Sequence, residues 1–299
     1  MSDPHSIATA QAAPARKSPD ADSPVRIFLR RLRRHRLAMA GAIIVLLIVL
    51  LGVAAPLVLR ADPTGIDVDR ILAPPSASHW AGTDDFGRDL LARIVYGTQL
   101  SLLVGFSVLL FTLLTGALVG MMAGFFPMAD MVIMQIMDAL MAFPAILLAL
   151  TVMAVAGPAT VNVVVALGIA YAPRMARLAR AAVLHVKGEE YIEAARALGT
   201  RPLRMLATHV VPNALAPIIV QGTFTFAYAI LGEAALSFVG LGAVPPTPSL
   251  GNILADGRAV IRDAPWMIGF PGLTLSLTIL GLNLFGDGIR DALDPRMRV

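Results

Sequence analysis

The sequence predicts an all-α, polytopic membrane protein with six transmembrane helices. First, 57% of its 299 residues are hydrophobic and only 15% are charged, with a mean hydropathy of +0.75. Soluble domains are about 45–50% apolar and about 25% charged, so a soluble fold of this length would expose a large apolar surface. Second, apolar runs of about 20 residues, the length that crosses a bilayer, recur along the chain. Third, the Lys and Arg residues fall mainly on one side of the topology that these runs define.

The N-terminal region combines a polar tail with the first apolar run. Residues 1–25 are rich in Ala, Pro, Ser and Asp and show no apolar periodicity, which predicts a disordered tail. A basic run follows and leads directly into the apolar stretch Leu37–Leu59. A cleaved signal peptide is the alternative, but its apolar core would be about 7–15 residues long. Residues 26–99 are therefore predicted to hold an uncleaved first span and the loop after it.

Five further spans are predicted from the remaining apolar runs. They are Leu100–Gly124, Met131–Val155, a fourth that begins near Thr160, Ala214–Leu236 and Trp266–Phe285. The fourth run is clean only as far as Ala172. Beyond it Arg174, Arg177 and Arg180 recur every three residues and form one stripe on a helix. Such a stripe suits the cytoplasmic end of a span, where Arg reaches the lipid headgroups.

The distribution of basic residues orients this topology. Six spans place both termini on one side, and that side carries 18 of the 24 Lys and Arg residues. By the positive-inside rule this side is cytoplasmic. Because topology accounts for the basic excess, the net charge of +4 does not indicate nucleic-acid binding.

The loop between the fourth and fifth spans predicts a short helix. Glu189, Glu190 and Glu193 stand at its start, Ala and Leu fill its middle, and Gly199 and Pro202 end it. The helix would be about 15 Å long. Its small-residue face can pack against another protein or lie on the lipid surface, and the residues alone do not separate these two interpretations. That face consists of Ala194, Ala195 and Leu198.

Several motifs in this order resemble one protein family. Glu193-Ala194-Ala195, Gly199 and the run from His209 to Pro212 resemble the EAA loop of ABC-importer permease subunits. Four other stretches are similar to the dipeptide, oligopeptide and nickel branch of that family, in particular its second, C-type permease. They are 82–90 (GTDDFGRDL), 138–144 (DALMAFP), 233–248 (EAALSFVGLGAVPPTP) and 283–295 (NLFGDGIRDALDP).

The resemblance covers residues 26–297 and implies both an architecture and a role. Residues 100–290 would form the transmembrane domain of a type I ABC importer, with a cytoplasmic coupling loop at 183–212 and a cytoplasmic tail at 291–299. The helix with Glu193 and Ala194 would dock on an ATP-binding subunit. Implied partners are a second homologous permease, two cytoplasmic ATP-binding subunits and an extracytoplasmic substrate-binding protein, in the bacterial inner membrane. The implied substrates are di- or oligopeptides; nickel or glutathione is the alternative.

No enzymatic chemistry is predicted for the chain itself. A nucleotide-binding P-loop needs Gly-x₄-Gly-Lys-Ser/Thr, and neither Lys17 nor Lys187 stands in such a motif. We therefore expect no cofactor on this chain, with ATP and Mg²⁺ bound by the partner subunits. The sequence contains no Cys, which excludes thiol catalysis and Cys-ligated metals. A self-sufficient secondary transporter is a less favoured alternative, because it predicts inverted repeats and proton-relay acids.

Two sets of charged residues are candidates for function outside the coupling loop. In the outer loop, Asp84, Asp85, Arg88 and Asp89 are close in sequence. We favour a structural ion-pair network or a docking surface for the binding protein over a metal site. Within the apolar runs, acids are costly and often functional. The two acids there are Asp138 and Glu233. Each either lines the pathway or packs against polar groups or against an Arg of the partner permease. For Glu233, contact with a peptide amino group is less favoured than a packing role.

Overall fold

The computed structural model describes residues 24–58 and 62–293, and this part of the chain is built from helices joined by loops. The helices are α1 (Pro24–Arg34), α2 (Arg36–Val58), α3 (Leu90–Thr112), α4 (Leu118–Phe125), α5 (Pro127–Met141), α6 (Ala145–Ala156), α7 (Thr160–Lys187), α8 (Glu190–Ala197), α9 (Pro202–Met205), α10 (Val211–Phe238), α11 (Leu250–Ala259) and α12 (Trp266–Leu293). Two π-helical turns, Leu113–Ala117 and Leu206–Val210, join α3 to α4 and α9 to α10. Most of the predicted tails, at 1–25 and 291–299, lies outside the described residues.

Five helical segments are long and apolar enough to cross a membrane, as predicted. They are Arg36–Val53, Leu90–Phe125, Thr160–Lys187, Pro202–Phe238 and Trp266–Leu293. Several spans extend beyond their predicted bounds: the fifth begins at Pro202 rather than Ala214, and the sixth ends at Leu293 rather than Phe285. The second begins at Leu90 rather than Leu100, and the fourth continues past Ala172 to Lys187 along the predicted Arg stripe. The extensions of the second and fourth spans contain Arg side chains that pair with acids elsewhere in the fold. A span predicted from hydropathy alone stops at such charged residues, although the helix continues through them.

The predicted third span, Met131–Val155, is not one helix. It is divided into α5 and α6, which meet at an angle of 89°. The break falls at Phe143-Pro144, where the ring of Pro144 disfavours helical geometry in the residue before it. Neither helix qualifies as a span by itself, whereas the two together have the length and composition of one span.

The packing of α4 on α7 shows why α5 and α6 together make one crossing. Gly116 lies against Ala172 and Gly120 lies against Ala176, so the two helices run in parallel. The chain between two parallel helices must return to the end from which the first one started. The α5–α6 pair makes this return. A side chain at Gly120 would meet the carbonyl oxygen of Ala176, and this small-residue contact lets the two backbones approach closely.

The bundle has two chemically distinct ends. At one, α1 packs on α12 and Lys187 Nζ donates hydrogen bonds to the carbonyls of Gly124 and Phe125, at 3.1 Å each. We call this the Arg-rich end; it also carries α8. At the other, Trp266 Nε1 donates to the carbonyl of Thr83 at 3.2 Å. We call this the loop end; it carries residues 62–89 and α11.

Candidate functional site

The short helix α8 is where the sequence predicted a coupling helix. It has eight residues rather than about ten. Glu190 and Glu193 occupy its first turn, where carboxylates interact favourably with the helix dipole. Ile192 is fully buried, in one apolar cluster with Val186 of α7 and Val210 just before α10. Through Ile192, and with the partly buried Ala195 beside it, α8 packs on an apolar cluster that includes residues of both flanking spans.

The helix α8 ends just before Gly199, as the sequence predicted. Gly199 has φ +78°, a left-handed conformation that glycine adopts without a steric penalty. Its N–H donates to the carbonyl of Arg196 at 3.0 Å, and the N–H of Thr200 donates to the carbonyl of Ala195 at 3.1 Å. These two bonds form a Schellman motif. A Cβ at position 199 would meet nothing within 4 Å, so only the backbone angle restricts the residue there.

The surface around α8 is open in this chain. Glu193 and Ala194 are exposed and Ala195 is half-buried. An open cavity of about 1050 Å³ lies at the exit of the helix, between Gly199 and the half-buried His209. Its rim includes Leu198, which is 87% exposed, and Leu203, which is also exposed. Pro212 is exposed at the start of α10. Of the six predicted coupling residues, the structure thus brings Gly199 and His209 to one cavity.

The predicted outer-loop cluster is centred on Asp84, which is 1% exposed. Its Oδ1 accepts from the backbone N–H groups of Phe86 and Arg88, at 2.9 Å each. Its Oδ2 accepts from Arg88 Nε and Arg93 Nη1, at 2.6 Å each. Asp84 therefore holds the loop together and lies out of reach of a docking protein.

The other members of the cluster have separate partners. Asp89 caps the start of α3 by accepting from the N–H of Ala92 at 2.8 Å, and its Oδ2 lies 2.8 Å from His79 Nδ1. Asp85 Oδ1 lies 3.6 Å from Arg88 Nη2. Burial, and then the nearby charge of Asp84, raises the pKa of Asp85 above its usual range. Within residues 24–58 and 62–293, no group of three or more His, Cys, Asp or Glu is placed to hold a metal ion.

Arg93 is a site residue that the sequence reasoning missed. It is buried in the first turn of α3 and joins Asp84 to Asp256 of α11, at 2.6 and 3.7 Å. Burial, followed by the charge of Asp85, raises the pKa of Asp256. A sequence signal for Arg93 was present, since it is the only charged residue between Leu90 and Phe125.

Glu233 is enclosed by its own chain at the loop end. It is 1% exposed. Its Oε2 accepts from Ser101 Oγ of α3 and its Oε1 accepts from Ser237 Oγ of α10, both at 2.7 Å. Through these contacts the Glu233 side chain joins two spans. They fit the packing role that the sequence allowed for this acid.

Asp138 lies near the end of α5, five residues before Phe143 at the break in the third span. Its Oδ1 accepts from Arg177 Nη2 of α7 at 2.6 Å, and the two side chains are 60% and 53% exposed. The counter-charge of Asp138 is therefore an Arg of this chain, and not the Arg of a partner permease that the sequence also allowed. A second pair, Asp130 with Arg180, joins the same two helices.

The bundle of spans and the short helix α8 define a multi-pass membrane protein of the transport-permease class. The family model for the binding-protein-dependent transport system inner membrane component matches residues 113–299, and the model for the N-terminal TM domain of oligopeptide transport permease C matches residues 23–75. The chain belongs to the family of binding-protein-dependent transport system inner membrane components, as its motifs predicted.

Named relatives match nearly the whole chain. A putative peptide transport system permease protein of Brucella abortus is 46% identical, over 93% of this chain and 94% of its own. A dipeptide transport system permease protein of Alkalihalophilus pseudofirmus is 45% identical, over 92% of this chain and 91% of its own. A glutathione transport system permease protein of Pectobacterium atrosepticum is a weaker match, 40% identical over 92% of each chain.

A solved structure has the same fold. A chain of the MetNI methionine ABC transporter, in inward-facing conformations, matches with a TM-score of 0.57 and 21% identity. The match covers 67% of this chain and 96% of that one. It supports the predicted fold of an ABC importer's transmembrane domain.

Proposed function

We propose that this chain is a permease subunit of an ATP-driven importer of di- or oligopeptides. It would form half of the translocation pathway and pair with a second, similar permease. The relatives named as peptide and dipeptide permeases support this substrate class, and the weaker match to a glutathione permease makes glutathione the second candidate. The observation that carries the proposal is the exposed helix α8, whose only buried side chain packs against the two spans beside it.

The contacts of α8 suit the transmission of force from an ATP-binding subunit. A displacement of the helix would act on α7 and α10 together, because Ile192 belongs to one apolar cluster with Val186 of α7 and Ala214 of α10. The Schellman exit fixes the direction in which the chain leaves α8. ATP and Mg²⁺ would be held by two ATP-binding subunits, since this sequence has no P-loop motif. In this proposal the chain is a non-catalytic subunit.

The proposed orientation places the Arg-rich end in the cytoplasm of a bacterial cell and the loop end outside its inner membrane. The positive-inside rule supports this orientation. At the loop end, Ile66, Val68 and Trp80 are exposed apolar side chains, with Trp80 74% exposed. Exposed aromatic and apolar groups suit the docking of a substrate-binding protein. We propose these residues as the contact surface, with the Asp84 network holding the loop behind them.

Substitution of Gly199 by Val tests the coupling role of α8. A β-branched residue at φ +78° costs about 2 kcal/mol. Because α8 buries only one side chain, we expect this strain to distort the end of the helix. We expect Gly199→Val to lower ATP-driven uptake of a labelled dipeptide at least about tenfold, while the chain still inserts and assembles with its partners. Uptake would be measured in proteoliposomes that contain the complete transporter and its binding protein.

Gly188 provides a matched control at the other end of α8. It has φ −83°, and a Cβ there would meet only ordinary contacts, the nearest at 3.5 Å. We expect Gly188→Val to retain most of the uptake. Normal uptake by Gly199→Val would contradict the coupling assignment. Loss of uptake without a separately supplied ATP-binding subunit, and its return when that subunit is added, would exclude a self-sufficient transporter.

A further inference from the structure

A basic cavity lies at the Arg-rich end, where the chain turns from α1 into α2 beside the end of α12. Its volume is about 400 Å³. The residues that line it are Arg31, Arg34, His35, Gly288, Asp291 and Ala292. None of them belongs to the proposed coupling helix or to the outer-loop network.

Close packing fixes the shape of this corner. A side chain at Gly288 would collide with Ala38 and reach Leu32, so α2 and α12 are in direct contact there. His35 Nδ1 accepts from the N–H of Ala38 at 3.1 Å and so caps the start of α2. The opposite ring nitrogen, Nε2, lies 3.1 Å from Asp291 Oδ2. His35 therefore holds the turn and satisfies the acidic wall of the cavity at the same time.

Arg31 and Arg34 bring two positive charges to the cavity, and the acid in its wall, Asp291, lies against His35. Neither Arg31 nor Arg34 has a salt bridge within the part of the chain that the structure describes. Further charges on the same elements are Arg26, Arg30, Arg33, Arg36, Arg290 and Asp287. The surroundings are thus predominantly positive. A guanidinium group binds phosphate oxygens in a bidentate geometry, so the cavity favours a phosphate-bearing anion.

The surface beside the cavity is apolar. Leu29 of α1 is exposed, as are Leu37 and Ile43 of α2. Only 22% of the apolar segment Arg36–Val53 is buried inside the described part of the chain, so most of the first span's length remains available to lipid tails. The acyl chains of a lipid whose headgroup lies at this corner would therefore extend along α2. Basic pockets between transmembrane helices are suited to anionic lipid headgroups.

We propose that the cavity between the α1–α2 corner and the end of α12 binds the headgroup phosphate of an anionic phospholipid, through Arg31 and Arg34, with the acyl chains along α2. The lipid would hold α1 against α12 at the membrane surface. This site is independent of which substrate the transporter carries, so its failure would not bear on the proposed function.

Lipid binding to the full-length chain in its purified complex tests this proposal. Phosphatidylglycerol and phosphatidylcholine would each be titrated into detergent micelles and counted on the protein by native mass spectrometry. We expect phosphatidylglycerol to bind preferentially and R31Q/R34Q to weaken that binding at least about tenfold. The matched control R30Q/R33Q removes the same charge from the same helix but not from the cavity, and we expect a loss below about threefold.

Three outcomes would overturn the proposal. Equal losses in the two double variants would indicate general attraction to a basic surface. No preference for phosphatidylglycerol would exclude an anionic lipid. Displacement of the lipid by about 10 mM inorganic phosphate would show that a free anion is the ligand. R31K/R34K, which keeps the charge but lacks the bidentate geometry, is expected to show an intermediate loss, and the thermal midpoint of each variant confirms that it is folded.

Discussion

The two ends of the helical bundle use charged residues in opposite ways. At the loop end, Asp84, Arg93 and Glu233 are buried and hydrogen-bonded within the chain. In the half of the bundle nearer the Arg-rich end, Asp138 and Arg177 pair with more than half of each side chain exposed, and α8 presents an exposed surface around its exit. Charges at the loop end fix the conformation of the chain, whereas many of those at the Arg-rich end remain available to other molecules.

This difference has an energetic consequence. Removing one partner of a buried ion pair leaves an uncompensated charge and costs about 3–5 kcal/mol. An exposed pair contributes about 0–1 kcal/mol, because water screens it and two long side chains must be ordered. Substitutions at the two ends should therefore separate effects on stability from effects on transport.

The largest effect is expected for Asp84→Ala. It removes the acceptor for Arg88, Arg93 and two backbone N–H groups, and it leaves the buried Arg93 without its nearest counter-charge. We expect a loss of about 3–5 kcal/mol in the free energy of unfolding, measured by thermal and denaturant unfolding in detergent. Asp62→Ala is a control in the same loop, because Asp62 is exposed and its side chain accepts, among the described residues, only from Thr64. A similar loss in both variants would contradict the central place of Asp84.

An intermediate effect is expected for Glu233→Gln. The substitution replaces one of the two oxygens that accept from Ser101 and Ser237 with an amide NH2 group, which cannot accept, so we expect a loss of about 1–2 kcal/mol. Uptake per folded complex should be unchanged if Glu233 only joins the two spans. If uptake fell while the unfolding midpoint stayed constant, the acid would have a role in the pathway. Glu233→Ala, which removes both acceptors, should be the less stable variant.

The smallest effect on stability is expected for Asp138→Asn. Its pair with Arg177 is exposed on both sides, so the free energy of unfolding should fall by less than about 1 kcal/mol. The same unfolding assay used for Asp84→Ala would measure it. A loss as large as that of Asp84→Ala would show that the Arg-rich end also depends on its charges for stability, and the contrast between the two ends would fail.

Local features were predictable because they depend on neighbouring residues. The apolar runs predicted the spans, and the acids before Ala194 together with Gly199 predicted α8 and its left-handed exit. The break in the third span was missed because a hydropathy run does not register a change of direction. Phe143-Pro144 carried a local signal for it, but only the 89° angle in the structure shows its consequence.

The sequence by itself determined the solvent, the family and the positions of most helices, because hydrophobicity and backbone preferences act over a few residues. Only the tertiary structure decided which charges meet. Ser101 and Glu233 are 132 residues apart and Asp138 and Arg177 are 39 apart, yet each pair is in hydrogen-bond contact. Such partners depend on how the helices pack, so the roles of Arg93 and of the cavity at Arg31 became visible only in the folded chain.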